Sequence, residues 1–153
     1  MNPQPNPTTA SGSSPRALVM RAASRATLID ASRCGDPDTF RRHLELLDHV
    51  AELGFATLVV LGDLTPTVSS SDPTHRRPVD LLQRTSGELV TVGHWAERVG
   101  RIARLTRWTH HQTVDDATLD VCRRPLDQQT IVLVQGAACA DLHHLVTALE
   151  IGL

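Results

Sequence analysis

The sequence contains no lysine, because all of its fifteen basic residues other than histidine are arginines. A phosphate-binding loop of the Gly-x-x-x-x-Gly-Lys-Ser/Thr type needs its lysine to reach the β- and γ-phosphates of a nucleotide. The chain alone is therefore not expected to hydrolyse ATP or to transfer its phosphate. The pattern Gly-x-Ser-x-Gly is missing too, which argues against a serine hydrolase built on Asp30 and Ser32.

Long apolar segments and strong charge are also absent. No apolar run approaches the length that spans a bilayer, and the amino terminus has neither the charged start nor the apolar core of a signal peptide. The formal net charge is −2, with no basic stripe of the kind that binds a phosphate backbone. We therefore expect a cytoplasmic protein whose partners are neither nucleic acid nor membrane.

Cysteine and histidine do not form a metal-binding pattern. Cys34, Cys122 and Cys139 are odd in number and too dispersed for a metal knuckle, so reduced thiols are expected. The adjacent pairs His110-His111 and His143-His144 would not face one way on a helix, which favours solvated histidines over metal ligands. No metal site is predicted.

The chain is organised around a strand, a helix and a second strand between residues 26 and 63. Residues 26–29 are apolar and β-favouring, and the nearly continuous apolar run 56–61 is typical of a strand covered on both faces. Between them, Asp36-Pro37 announces a helix, because Asp caps free amides and Pro suits the first helical position. Gly54 is a natural helix end. This is a βαβ unit, whose right-handed crossover predicts a parallel pair of strands.

Strands and helices alternate along the rest of the chain, which predicts an α/β domain of Rossmann-like type, with three layers and a mostly parallel sheet. Residues 1–15, rich in Pro, Ser and Thr, are predicted to be a disordered tail or a linker remnant, and residues 16–153 the domain. The further predicted elements are a first strand in 16–22 paired with 26–29, a helix starting at Asp72-Pro73 that Pro78 kinks or delays, a strand 88–92, a helix 94–103, a weak strand 105–108, a helix 114–124 capped by Asp115-Asp116, a strand 130–134 and a last helix that buries Leu142, Leu145, Val146 and Leu149.

Ligands of such sheets bind outside the carboxyl ends of the strands. The amides that open the first helix can hold an anion there, although Asp36 competes for them as a cap. A cap-only Asp36 and a solvated Arg33 therefore stay open beside the binding interpretation. The candidate ligand-binding residues at this edge, which also includes Gly93-His94, are Asp30, Ser32, Arg33, Asp36, Gly62, Asp63, Gln135, Gly136 and Ala137.

Several motifs in this order resemble a known family. Residues 28–39 read LIDASRCGDPDT, where the C-terminal domain of the Mur ligases has LIDDSYNANPDS. Residues 60–64 (VLGDL) match the family's VLGDM, and residues 133–137 (LVQGA) match its LVKGS. His75 and Val92-Gly93 fall in the same order as in the family. From about residue 16 to 149 the chain resembles this domain, most closely in the branch that adds D-alanyl-D-alanine to the UDP-N-acetylmuramoyl-tripeptide.

The resemblance implies a domain that closes over a central ATP-binding domain and helps to hold the nucleotide and the incoming amino acid or dipeptide. The chain departs from the family at several polar positions. Ala31 replaces the family's second Asp, Arg33 replaces its Tyr, Cys34 and Asp36 replace its two Asn, and Gln135 replaces its Lys. The central domain with its Gly-Lys-Thr or Gly-Lys-Ser loop is not found in this sequence.

Three functional interpretations follow from this resemblance. The leading one is a stand-alone accessory or degenerate module that binds an amino acid, a dipeptide or the edge of a nucleotide, with no catalytic residue and no cofactor of its own. The second is one part of a split or truncated ATP-dependent amide ligase of peptidoglycan precursor synthesis, with ATP and Mg²⁺ bound once a central domain is supplied in trans. The third is a scaffold that binds no ligand.

Overall fold

The computed structural model describes residues 20–22, 25–64, 76–84, 87–105 and 107–152 of the chain. The predicted tail 1–15 lies outside the described residues, as do residues 16–19, Asp72-Pro73 and His75. The described elements are, in chain order, β1 (Met20–Ala22), β2 (Thr27–Ala31), α1 (Pro37–Glu52), β3 (Ala56–Leu61), α2 (Arg76–Arg84), β4 (Glu88–Val92), α3 (His94–Ala103), β5 (Trp108–His111), α4 (Val114–Arg123), β6 (Thr130–Gln135), a 3₁₀ turn (Ala138–Ala140) and α5 (His143–Ile151).

The six strands form one sheet in the order β1-β2-β6-β3-β4-β5. Strand β1 is antiparallel to β2, and the other five strands are parallel to one another. The predicted mostly parallel α/β sheet is therefore confirmed, and so is the pairing of the first two strands, through Met20 opposite Ile29.

The predicted βαβ unit needs one correction. Strands β2 and β3 run in the same direction, but they are not neighbours, because β6 lies between them and pairs with both. Leu28 and Leu58 both lie opposite Val132. All six residues of β6 are buried, and a strand this apolar is most stable in the centre of a sheet, with a partner on each side and helices on each face.

Side chains alternate between the two faces of the sheet and form two apolar layers. In β6, Leu133 packs into the layer beneath α1, α2 and α3, whereas Val132 and Val134 pack into the layer beneath α4 and α5. Phe40 of α1 and Leu145 of α5 anchor the two layers, since both are fully buried. The predicted three-layer, Rossmann-like arrangement is confirmed.

Most helix boundaries follow the local sequence signals. Asp36 caps α1, because its Oδ2 accepts hydrogen bonds from Thr39 N at 3.1 Å and Thr39 Oγ1 at 2.7 Å, and Pro37 is the first helical residue. Gly54, just past the end of α1, has a φ of +95°, which glycine adopts without strain. Helix α2 begins at Arg76, so Pro78 falls in its first turn, where a missing amide hydrogen is tolerated.

Two local predictions are wrong. Strand β5 covers Trp108–His111 rather than 105–108, so His110 and His111 lie on a strand and not on a helix. Helix α4 is capped by Thr113, whose Oγ1 accepts a hydrogen bond from Asp116 N at 3.1 Å. Asp115-Asp116 begins two residues after this cap, in the first turn of α4, where acidic side chains favour the positive end of the helix dipole. Across the described residues, no helix is long and apolar enough to span a bilayer.

Candidate functional site

The carboxyl ends of β2, β6 and β3 meet at one edge of the sheet, with Ala31 opposite Gln135 and Leu61 opposite the same residue. The structure therefore brings the predicted ligand-binding residues of three separate segments together. The loops that follow these strands are joined by backbone hydrogen bonds, which occupy three amides and make them unavailable to a ligand. These bonds run from Gly136 N to Ala31 O (3.2 Å), from Gly62 N to Gln135 O (2.8 Å) and from Ala137 N to Asp63 O (2.8 Å).

The loop after β2 is a tight turn that presents charge at this edge. Asp30 Oδ1 accepts hydrogen bonds from Ser32 N at 3.1 Å and from Ser32 Oγ at 2.7 Å, and Cys34 N donates to Ala31 O at 3.1 Å. Ser32 is buried, Asp30 is half-buried and Arg33 is exposed. Within the described part of the chain, Asp30 Oδ2 has no hydrogen-bond partner, so it can accept a hydrogen bond from a ligand.

Gln135 points into the protein rather than toward a ligand. Its side chain is fully buried. Its Nε2 donates a hydrogen bond to Cys34 O at 2.5 Å, and its Oε1 lies 2.6 Å from His43 Nδ1. The carboxamide therefore joins the end of β6 to the loop before α1 and to α1 itself. The predicted contact of its side chain with a ligand does not fit this position.

These contacts also determine which tautomer neutral His43 adopts. The carbonyl of Cys34 only accepts hydrogen bonds, so the carboxamide nitrogen of Gln135 faces it. The carboxamide oxygen then faces His43, and Nδ1 must carry the hydrogen that bridges them. Neutral His43 is therefore the Nδ1–H tautomer, which leaves Nε2 as a hydrogen-bond acceptor. Sequence reasoning missed His43, although its place three residues after buried Phe40 put a polar group beside the buried face of α1.

Asp63 has a structural role at the next strand. Its Oδ1 accepts hydrogen bonds from Trp95 N at 2.9 Å and from Ala96 N at 3.0 Å, so Asp63 caps α3 from another segment. The residue before α3 is Gly93, which has no side chain with which to cap it. Gly93 also has a φ of +100°, and a Cβ there would lie 2.6 Å from Asp63 Oδ1. Since Gly93 offers no side-chain acceptor, the free amides at the start of α3 are capped from another segment.

The other predicted residues of this edge serve the packing of the fold. A Cβ at Gly62 or at Gly136 would lie 2.8 Å from Leu142 Cδ1, so the two glycines let the segment before α5 approach the strand ends.

The hydroxyl of Thr39, which donates to the carboxylate of Asp36, lowers the pKa of that carboxyl group. Asp36 therefore occupies the amino terminus of α1 as a cap.

The residues at this edge do not fit a triphosphate on their own. The chain has no lysine, and Arg33 is the one basic residue between residues 30 and 38. Asp36 and Asp38 place negative charge at the start of α1, where a phosphate would otherwise bind.

The paired histidines of β5 are held by protein groups. His110 Nδ1 lies 3.0 Å from Thr91 Oγ1, and His111 Nε2 lies 2.8 Å from Asp120 Oδ2. The expectation that these two histidines are solvated is wrong, because the strand turns them to opposite faces, where each is half-buried. Among the described residues, no three His, Cys, Asp or Glu side chains are grouped to hold a metal ion. Cys34, Cys122 and Cys139 are free thiols.

No protein-family model matches the sequence, and no curated protein matches it either. Solved structures match its fold. The MurF ligase from Thermotoga maritima, crystallised with ADP, is 15% identical with a TM-score of 0.64, over 87% of this chain and 30% of that one. MurF from Acinetobacter baumannii is 18% identical with a TM-score of 0.65, over 88% of this chain and 30% of that one.

A third similar structure is a single domain. It is assigned to a UDP-N-acetylmuramate:L-alanyl-γ-D-glutamyl-diaminopimelate ligase of Haemophilus ducreyi, and it is 18% identical with a TM-score of 0.57. The match covers 86% of this chain and 98% of that domain. The chain thus spans about 30% of the length of the MurF ligases but nearly all of an isolated ligase domain. The predicted resemblance is confirmed at the level of the fold, which is that of the C-terminal domain of the Mur ligases.

Proposed function

We propose that this chain is an accessory Mur ligase-type domain that binds an amino acid or a dipeptide at the carboxyl edge of its sheet, in the cytoplasm. It has no ATPase activity and no cofactor of its own. The observation that carries the proposal is the meeting of three strand ends, β2, β6 and β3, beside a turn with groups of both charges. A zwitterionic ligand offers an ammonium group to Asp30 Oδ2 and a carboxylate to Arg33.

The direction of the chain supports a partner at the same edge. Strand β1 runs antiparallel to β2, from Met20 opposite Ile29, the middle residue of β2, to Ala22 opposite Thr27. The described residues of β1 therefore run away from the carboxyl edge of the sheet. A domain that precedes β1, or a partner in its place, is well positioned to cover Asp30 and Arg33.

A second candidate function is one part of an ATP-dependent amide ligase of peptidoglycan precursor synthesis. It is favoured by the coverage of the matched structures, since the chain corresponds to about 30% of a MurF ligase. The remaining parts would come from a central domain in trans, with ATP and Mg²⁺ bound there. A neighbouring reading frame with a Gly-Lys-Thr or Gly-Lys-Ser loop would favour this candidate, and the lack of one would favour the accessory module or a scaffold that binds no ligand.

The test is an amide NMR titration of the chain with D-alanyl-D-alanine and, separately, with ATP and magnesium. Saturable shifts at residues 30–39, 62–63 and 135–137 with the dipeptide are expected, and none with the nucleotide. The decisive variant is Asp30→Asn, which keeps an Oδ1 acceptor for Ser32 and replaces Oδ2 by a donor. It should lose dipeptide binding while keeping its stability. If millimolar dipeptide gives no saturable shifts, the isolated chain does not bind it and the scaffold interpretation leads.

A further inference from the structure

A second cleft lies at the opposite edge of the sheet, where β3, β4 and β6 begin. Its volume is about 180 Å³, more than ten times the ~15 Å³ that one water molecule needs. It is lined by buried Thr57 and Thr130 and by the partly exposed apolar side chains of Phe55 and Leu126. Strand β3 has six residues, so the two edges are roughly 17 Å apart. The cleft is therefore separate from the candidate site described above.

Arg124 brings a positively charged group of fixed orientation to this cleft. Its Nε donates to Asp120 Oδ1 at 3.3 Å and its Nη2 to Asp120 Oδ2 at 3.0 Å, while its Nη1 contacts Glu88 Oε2. Burial acts to lower the pKa of Arg124, but the carboxylates of Asp120 and Glu88 raise it above its ordinary value. A guanidinium group that is already oriented loses little further freedom when a ligand binds beside it.

Arg107 supplies a second positive charge, and its side chain is largely exposed. It is 72% exposed, and in the described part of the chain its one ion pair is with Glu88 Oε1 at 3.4 Å. An exposed pair of this kind is weak, so the carboxylate of a ligand can replace Glu88 as the partner of Arg107 at little cost. Arg107, Arg124 and Glu88 line the cleft together, and Asp120, which is not part of the lining, pairs with Arg124. The two positive charges are thus matched by two carboxylates, and Arg107 is the arginine whose weak partner a ligand can replace.

We propose that this cleft binds a small organic anion, whose carboxylate pairs with Arg107 beside Arg124 and whose apolar body lies against Phe55 and Leu126. The planar fork of a guanidinium group matches a carboxylate. The apolar side chains favour an aromatic or aliphatic carboxylate over a fully hydrated anion, because they remove its hydrocarbon part from water. Glu88 is the internal group that this carboxylate displaces from Arg107.

The test is an amide NMR titration of the full chain with benzoate, compared with uncharged benzyl alcohol and with inorganic phosphate. Benzoate should give saturable shifts at Phe55, Thr57, Gly87 and Thr130, and each of the other two compounds should bind about tenfold more weakly. A lack of saturable benzoate shifts at these amides would overturn the site. Equal binding of benzyl alcohol would overturn the role of charge, and equal binding of phosphate would overturn the apolar contact.

Matched arginine variants test the assigned partner. Arg107→Gln should weaken benzoate binding about fivefold. Arg101→Gln is the control, because Arg101 is 68% exposed and pairs with Glu97 on α3, away from the cleft. Equal binding by the two variants would overturn the assignment of Arg107. The amides followed in the benzoate titration lie at the amino edge of the sheet, whereas those followed in the dipeptide titration lie at the carboxyl edge. A failure of benzoate binding is therefore distinguishable from a failure of the proposed function.

Discussion

Gln135→Leu tests whether the carboxamide of Gln135 joins β6, the loop before α1 and α1 into one unit. The change removes the donor to Cys34 O and the acceptor of His43 Nδ1–H, and it keeps a side chain of similar volume. A buried carbonyl left without a donor costs about 2 kcal/mol, and His43, which is half-buried and can bind water instead, about 1 kcal/mol. The methyl groups of leucine offset about 1 kcal/mol. We therefore expect a net loss of about 2 kcal/mol.

The loss is measured by urea unfolding followed by circular dichroism. With a urea dependence of about 2 kcal/mol per molar, the unfolding midpoint should fall by about 1 M at an unchanged slope. Long-range ¹H–¹⁵N NMR spectra of the imidazole give an independent result. In the unmodified chain at neutral pH, His43 should show hydrogen on Nδ1, and in Gln135→Leu that preference should be lost.

A matched control separates this network from the general effect of replacing a glutamine. Gln128 is exposed, so Gln128→Leu should change the free energy of unfolding by less than about 0.5 kcal/mol. If Gln135→Leu changes the free energy of unfolding as little as this control does, the assigned network is refuted. It is also refuted if the His43 tautomer is the same in both variants.

Three further predictions concern the fold around the candidate site. Asp63→Ala should destabilise the chain by about 1–2 kcal/mol, because α3 loses its cap, and hydrogen exchange of the first α3 amides should speed up while that of α1 does not. Gly100→Ala should be destabilising despite a helix-propensity gain of about 1 kcal/mol, because the new Cβ would lie 2.3 Å from Trp108 Nε1; overpacking costs about 1–3 kcal/mol, and an unfolding midpoint at or above that of the unmodified chain would contradict it. Burial acts to raise the pKa of Asp120, but hydrogen bonds from Arg124 and His111 lower it below 3.8, so its contribution to stability is present above pH 3.8 and is lost as the pH falls through the lowered value. Asp120→Asn should therefore lose stability at pH 7 and less at pH 3, and equal losses at both would contradict this assignment.

The helices and strands were largely predictable because their signals are local. Asp36-Pro37 and Gly54 mark the ends of α1 through the backbone conformations and caps that these residue types favour. The order of the strands is not a local property. No pattern in β2, α1 or β3 shows that a strand some seventy residues further on lies between β2 and β3; only the complete burial of β6 points to a central place.

At the candidate site, too, some features were predictable from the sequence and others were not. The carboxyl-edge rule correctly brought Asp30, Asp63 and Gln135 to one region, because it depends only on strand direction. It did not predict what their side chains contact. Asp63 caps a helix thirty residues away, and Gln135 bonds to groups about a hundred residues away. Such contacts depend on the packing of helices against the sheet, which the alternation of apolar and polar residues does not determine.

These structural roles change how the resemblance to the Mur ligases is interpreted. The motifs VLGD and LVQG contain Gly62, Asp63, Gln135 and Gly136, and each of these residues has a role in the packing or hydrogen bonding of the fold that needs no ligand. Their agreement with the family is therefore accounted for by the fold and is weak support for binding. Asp30 differs from these four residues. Its Oδ1 completes the turn, whereas its Oδ2 accepts no hydrogen bond from any residue that the structure describes, so it can accept one from a ligand. The Oδ2 atom of Asp30 is therefore the sharpest test of binding at this edge, because Asp30→Asn replaces it without removing the acceptor that the turn needs.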